Sequence, residues 1–102
     1  MSEFTVIYLP IFDSDLADVW SYIAYKLRNP SAADNLMSDI EEAILKRLKM
    51  PTSFQQYHSK KERKHPYYRI KVHNYNVWYV VIDDTMEVRR FLYNKRNSEE
   101  LL

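Results

Sequence analysis

Apolar and polar positions alternate most clearly in the last third of the 102-residue chain. Tyr68, Ile70 and Val72 fall on one side of a period-two run and Arg69 and Lys71 on the other, which predicts a half-buried strand. Residues 75–82 are apolar on both faces, so they read as a central strand. Residues 86–93 form a third run with Met86, Val88, Arg90 and Leu92 on one side. His73-Asn74 between the first two runs predicts a two-residue hairpin turn, in which Asn tolerates positive φ. Asp83-Asp84-Thr85 predicts the second turn. The product is an antiparallel meander with one buried face and one carrying Arg69 and Lys71, a face that Tyr67 or Trp78 can share.

The N-terminal half changes period. Residues 4–9 read as a short strand ended by Pro10. A helix then follows, with Asp13 or Ser14 as the expected N-cap and Asp15 and Asp18 in its first turn, where the helix dipole favours acid. Its apolar stripe is Leu16, Val19, Trp20, Ile23, Ala24 and Leu27. Asn29-Pro30 breaks it and opens a second helix over residues 30–49, with the stripe Ala33, Leu36, Met37, Ile40, Ala43, Ile44 and Leu48. Lys46, Arg47 and Lys49 suit its C-terminal end, and Pro51 forces the exit. So short a connection makes the helices antiparallel neighbours. The whole chain, residues 1–102, therefore reads as one α+β domain. A two-helix hairpin packs on an antiparallel sheet in two layers, in the order β-α-α-β-β-β. The first strand joins the sheet at its edge or beside the last strand.

Composition narrows the chemistry. With no Cys, disulfides, thiolate nucleophiles and Cys-based zinc sites are excluded. With no Gly, phosphate-cradling Gly loops and the usual nucleophile elbow are excluded as well. No HExxH or acid-rich calcium loop is present, and His58, His65 and His73 lack a carboxylate or nucleophile at useful spacing. No metal or cofactor is expected. Asp83-Asp84 reads as turn chemistry and Glu41-Glu42 as a solvated helix face. The longest apolar run, residues 77–82, is too short to span a bilayer, and the N-terminus lacks a secretory pattern, so a cytoplasmic protein without a membrane role is expected.

Charge adds an asymmetry. Residues 1–51 carry five Lys/Arg against eight Asp/Glu, and residues 52–102 carry ten against six. The basic half includes Lys60, Lys61, Arg63 and Lys64 in a stretch without periodicity, residues 52–66. It also holds Arg69 and Lys71 on one strand face, and Arg90, Lys95 and Arg96 on or after the last strand beside Tyr93. Arg and Lys hold phosphates, and Tyr stacks on a base or exchanges a proton. Metal-free cleavage of RNA needs an oriented 2′-OH, charge stabilisation at the phosphorane and a proton for the leaving oxygen, which such a cluster can supply. Ordinary cations on the wet face of a sheet give the same composition.

The ordered set of elements resembles the RelE/ParE superfamily of toxins from bacterial type II toxin–antitoxin systems. The resemblance rests on the first strand, the helix DLADVWSYI, the second helix opening SAADNL and closing Leu48-Lys49-Met50-Pro51, then Tyr68 to Val72, Tyr75 to Tyr79 and Val88 to Asn97. It implies a small growth inhibitor neutralised by a cognate antitoxin protein, in a complex that is oligomeric. The branches differ in target. RelE-like members resemble ribosome-dependent endonucleases that cut mRNA in the A site, and ParE-like members poison DNA gyrase. Carried over by position, the strand pair of basic residues in RelE-like enzymes falls on Arg69 and Lys71, and the basic residue after the last strand on Arg96. Tyr93 falls where relatives have His or Tyr and is the candidate for proton transfer. The catalytic set implied is thus Arg69, Lys71, Tyr93 and Arg96, with Lys60, Lys61, Arg63, Lys64, Arg90 and Lys95 as nucleic-acid or target contacts. Asn76 stands where RelE-like enzymes place Arg, and Leu101–Leu102 near their terminal Tyr. Two long helices and the ending LYNKRN look more ParE-like. A weakened homologue serving as an antitoxin-binding module is the third reading.

Overall fold

The computed structural model describes residues 3–57, 64–96 and 98–102. Strand β1 (Thr5–Tyr8) leads into helix α1 (Pro10–Ser21), which runs on through one π-helical turn, Tyr22–Lys26. Helix α2 (Pro30–Arg47) returns antiparallel to it, and β2 (Tyr68–Val72), β3 (Tyr75–Ile82) and β4 (Thr85–Tyr93) form the meander, followed by a single helical turn, α3 (Ser98–Leu101). The sheet order is β1-β4-β3-β2, with β1 parallel to β4 and the other pairs antiparallel. The first strand therefore lies both at an edge and beside the last strand. The expected α+β architecture is the one observed.

Local chemistry explains the element ends. Helix α1 begins one turn earlier than expected, at Pro10 rather than after Asp13 or Ser14. Proline's fixed φ suits the first helical position, where its missing N–H costs nothing, so the residue that ends β1 also starts α1. Asn29 caps α2 as expected, its side chain accepting from the Ala32 N–H at 3.1 Å. In the first hairpin the left-handed residue is His73 (φ 55°), not Asn74. The second turn is Asp83-Asp84 with Asp83 left-handed (φ 54°), and Thr85 already pairs with Ile82. The His73 ring reaches α2, its Nε2 lying 2.7 Å from Asp39 Oδ2.

Between the helices and the sheet lies the main core. Phe12, Leu36, Ile40 and Ile44 meet Tyr68, Ile70, Val72, Val77, Tyr79, Met86, Val88 and Phe91. Each large side chain buried this fully contributes about 1.5–3 kcal/mol. Leu27, expected in the α1 stripe, is instead exposed beyond the π-helical turn, which rotates it off the buried face.

The sheet differs from a simple meander in β4. Tyr79 pairs with Val88 but Trp78 pairs with Arg90, so Arg89 is an extra residue, a β-bulge. The bulge shifts the alternation by one. Met86 and Val88 face the helices as expected, but so does Phe91, while Leu92 turns to the opposite face. That second face is not simply wet. Tyr67, Trp78, Val80 and Leu92 are buried there under Tyr57, Ile82, Leu101 and Leu102. Trp78 stands edge-on to Tyr57 at 4.9 Å, and its indole N–H is the one buried side-chain polar atom without a partner among the described residues.

Helix α1 is fastened to β4 by Asp15. Its carboxylate accepts from Arg90 Nε (2.8 Å) and Nη2 (3.1 Å) and from the Phe91 backbone N–H (3.0 Å). Both side chains are largely buried, 16% and 13% exposed for Arg90 and Asp15. Removing one partner of such a pair strands the other charge and costs about 3–5 kcal/mol. Asp15→Ala is expected to lower stability by about 3 kcal/mol, read as a shift in the urea midpoint.

Candidate functional site

Cross-strand register sorts the candidate residues by face. On the face away from the helices, Arg69 lies opposite Trp78, which lies opposite Arg90, and Lys71 lies opposite Asn76, which lies opposite Leu92. Arg69 and Lys71 are exposed there, next but one on the same strand, and Asn76 beside Lys71 is 7% exposed. On the helix side, Val72, Tyr75 and Tyr93 make the corresponding row. Tyr93 packs edge-on against Tyr75, ring centroids 5.6 Å apart. The structure thus brings Arg69 and Lys71 together and puts Tyr93 on the other side of the sheet.

The remaining cations scatter. Lys95 and Arg96 are exposed in the turn after β4, where the Arg96 N–H donates to the Tyr93 carbonyl at 3.0 Å and Asn94 donates to the Asn74 carbonyl at 2.8 Å. Arg90 was expected to face a target, but its guanidinium is spent inside the fold on Asp15 and on the Leu101 carbonyl (3.1 Å). Lys64 is exposed. Lys60, Lys61 and Arg63 lie outside the described residues. Among the described residues no group of three or more His, Asp or Glu is placed to hold a metal ion.

Two surface features were not legible in the sequence. The first centres on Arg47, which sequence reading treats only as a helix-terminal cation. Its Nη1 donates to the Tyr79 hydroxyl at 2.9 Å and to the Arg69 carbonyl at 3.2 Å, and its guanidinium lies 3.5 Å from the centre of the Phe54 ring. The Tyr79 hydroxyl in turn donates to the Pro51 carbonyl at 2.7 Å. Arg47, Phe54, Gln55, Gln56, Tyr57 and Arg69 line a cleft of about 410 Å³. No local pattern links residues 47, 54 and 69. Only the return of β2 beside the end of α2 does so.

The second is a groove of about 360 Å³ where β1 and α1 meet α2. Its lining is apolar through Tyr8, Phe12, Leu16, Met37, Ile40 and Ile44, with Asp13 and Glu41 also lining it. Ile7 and Ile11 are exposed on the same two elements. Burial, then the nearby Glu41 and Asp13 carboxylates, push the Tyr8 phenol above its ordinary pKa.

Comparison with known proteins places the chain. The profile of the family described as the ParE toxin of the type II toxin–antitoxin system parDE matches residues 6–98. The chain belongs to this ParE toxin family. Among solved structures, a chain of the chromosomal ParDE toxin–antitoxin system from P. aeruginosa is similar, with a TM-score of 0.72 at 12% identity over 88% of this chain and 95% of that one. A chain of the RelB–RelE antitoxin–toxin complex from Methanococcus jannaschii is similar with a TM-score of 0.51 at 24% identity, covering 94% of this chain and 99% of that one. Identities this low show a shared fold. No curated protein matches the chain in sequence.

Buried phenols give the fold a pH dependence. Burial raises the pKa of Tyr8, Tyr75 and Tyr79, in Tyr79 against the opposing pull of the Arg47 guanidinium. A raised folded-state value means the native protein holds the phenol proton more tightly than the unfolded chain does. This contribution is complete below about pH 10, the ordinary tyrosine value, and is lost as pH rises through the raised values. Urea midpoints are expected to fall above about pH 10, and Tyr79→Phe to show a shallower fall.

Proposed function

We propose that the protein is a growth-inhibiting toxin that acts by binding a protein target, DNA gyrase, rather than by cutting RNA, and that a cognate antitoxin neutralises it. The observation that carries this reading is the division of the would-be nuclease set. General acid–base catalysis needs its groups within about 3 Å of one reacting phosphate. Tyr93 is on the helix side, with Arg96 exposed in the turn that follows it, and Arg69 and Lys71 are on the opposite face; Arg90, expected as a target contact, is held by Asp15. The surface left for a target is the exposed end of the helical hairpin with the turn after β4, where Tyr22, Tyr25, Lys95 and Arg96 are accessible. Tyr and Arg are the residue types that anchor protein interfaces.

The antitoxin reading draws on family membership and on the apolar groove between α1 and α2. An amphipathic helix laid along Phe12, Leu16, Met37 and Ile40 would bury its apolar face, with basic flanks meeting Asp13 and Glu41. The similar ParDE and RelB–RelE structures come from toxin–antitoxin systems, which supports such a partner.

Purified protein added to a gyrase supercoiling reaction is expected to block supercoiling, while mRNA in a reconstituted translation reaction stays intact. New mRNA ends at A-site codons with supercoiling unaffected would overturn the gyrase assignment in favour of ribosome-dependent cleavage, and absence of any growth defect would leave an antitoxin-binding module. Met37→Glu, which puts a charge on the groove floor, is expected to weaken antitoxin binding by about tenfold or more in a pull-down or calorimetric titration.

A further inference from the structure

We propose that the cleft between the C-terminal end of α2 and strand β2 is a phosphate-binding site, with Arg47 and Arg69 as its cationic anchors. This goes beyond the choice of toxin target and does not depend on it.

The site is built rather than accidental. Two hydrogen bonds, to the Tyr79 hydroxyl and the Arg69 carbonyl, fix Nη1 of Arg47, and the Phe54 ring fixes the plane. Ordering so long a side chain is the usual cost of using it for binding, and here the fold has already met it. Both bonds use Nη1. Nε and Nη2 of Arg47 make no hydrogen bond among the described residues, and neither Arg47 nor Arg69 has a carboxylate partner there. By contrast Arg89 and Arg90, the two arginines of β4, are paired with Glu87 and Asp15. Both residues line one cleft, so an anion entering it meets positive charge that no carboxylate among the described residues offsets.

Donor number and layout select phosphate over a single carboxylate. A guanidinium presents its N–H groups in a fork that matches phosphate oxygens, and the cleft carries two of them together with the side-chain amides of Gln55 and Gln56. The Gln56 amide is held against the Tyr68 hydroxyl at 3.3 Å, while Gln55 is exposed at the cleft. One carboxylate cannot use that many donors. Lys71, two residues beyond Arg69 on the same face, lies about 6–7 Å further along the strand and extends the cationic row away from the cleft. A volume of about 410 Å³ admits a phosphate with part of what it is esterified to.

The phosphate belongs either to a free nucleotide or to a single-stranded nucleic-acid backbone, and one titration series separates them. The ¹H–¹⁵N signals of Arg47 Nε and of the Gln55 and Gln56 amides are followed in chloride buffer with inorganic phosphate, a 5′-nucleoside monophosphate and a short single-stranded oligonucleotide. All three probes are expected to move these signals in the wild-type protein. Arg69→Gln, at an exposed position, is expected to weaken binding about tenfold. Gln55→Glu, which places a carboxylate in the cleft without touching the core, is expected to abolish it. An oligonucleotide that binds much more tightly than the monophosphate, with a steep salt dependence, identifies a phosphodiester chain as the source. Equal affinity identifies a free nucleotide. Unmoved signals with every probe in a folded protein would overturn the proposal, as would equal binding by Gln55→Glu.

Discussion

The carboxylate of Asp15 is the joint on which the two layers depend. β1 pairs with β4 only as far as Tyr8 opposite Val88, and Leu9 adds one further bond to the Val88 carbonyl. Beyond that point no strand among the described residues lies beside the outer edge of β4. An open edge of backbone donors must be covered or left to water. Helix α1 turns away from β1 immediately, because Pro10 both stops the strand and starts the helix, and this brings Asp15 back over the open edge. There it takes the Phe91 N–H and pairs with Arg90 at once. One side chain thus closes the sheet edge, fixes the direction of α1 and neutralises Arg90 at that edge.

The bulge at Arg89 has the larger consequence for function. It lets Val88 and Phe91 both enter the helix-side core, and it turns Arg90 and Leu92 to the opposite face. Leu92 then joins Trp78 and Val80 under the C-terminal residues. The parity of the strand after the bulge also puts Tyr93 on the helix side with Tyr75. A meander without the bulge would instead have placed Tyr93 on the face of Arg69 and Lys71. A single inserted residue therefore separates groups that a nuclease would need together.

Much of the fold was legible because the signals were local. The period-two run at Tyr68–Val72, the doubly apolar β3, the Asn29-Pro30 break and the α2 stripe each fix an element by its own sequence, and their order fixes the layers. The π-helical turn that exposes Leu27 left no such signal. Nor did the β4 bulge, since MEVRRFLY alternates acceptably in either register and only pairing with β3 decides between them. The site was less legible for the same reason. A strand face predicts that Arg69 and Lys71 lie together, but whether Arg90 is free depends on Asp15, 75 residues away in sequence. The importance of Arg47 depends likewise on Phe54 and Tyr79.

We propose that Tyr93 is not the proton-transfer group of a nuclease, because the sheet lies between it and the paired cations Arg69 and Lys71. Tyr93→Phe removes only the hydroxyl and keeps the ring contact with Tyr75. Expressed without antitoxin, the variant is predicted to arrest growth as strongly as the wild-type protein. A folded Tyr93→Phe protein that no longer arrests growth would contradict the account and return Tyr93 to a catalytic role.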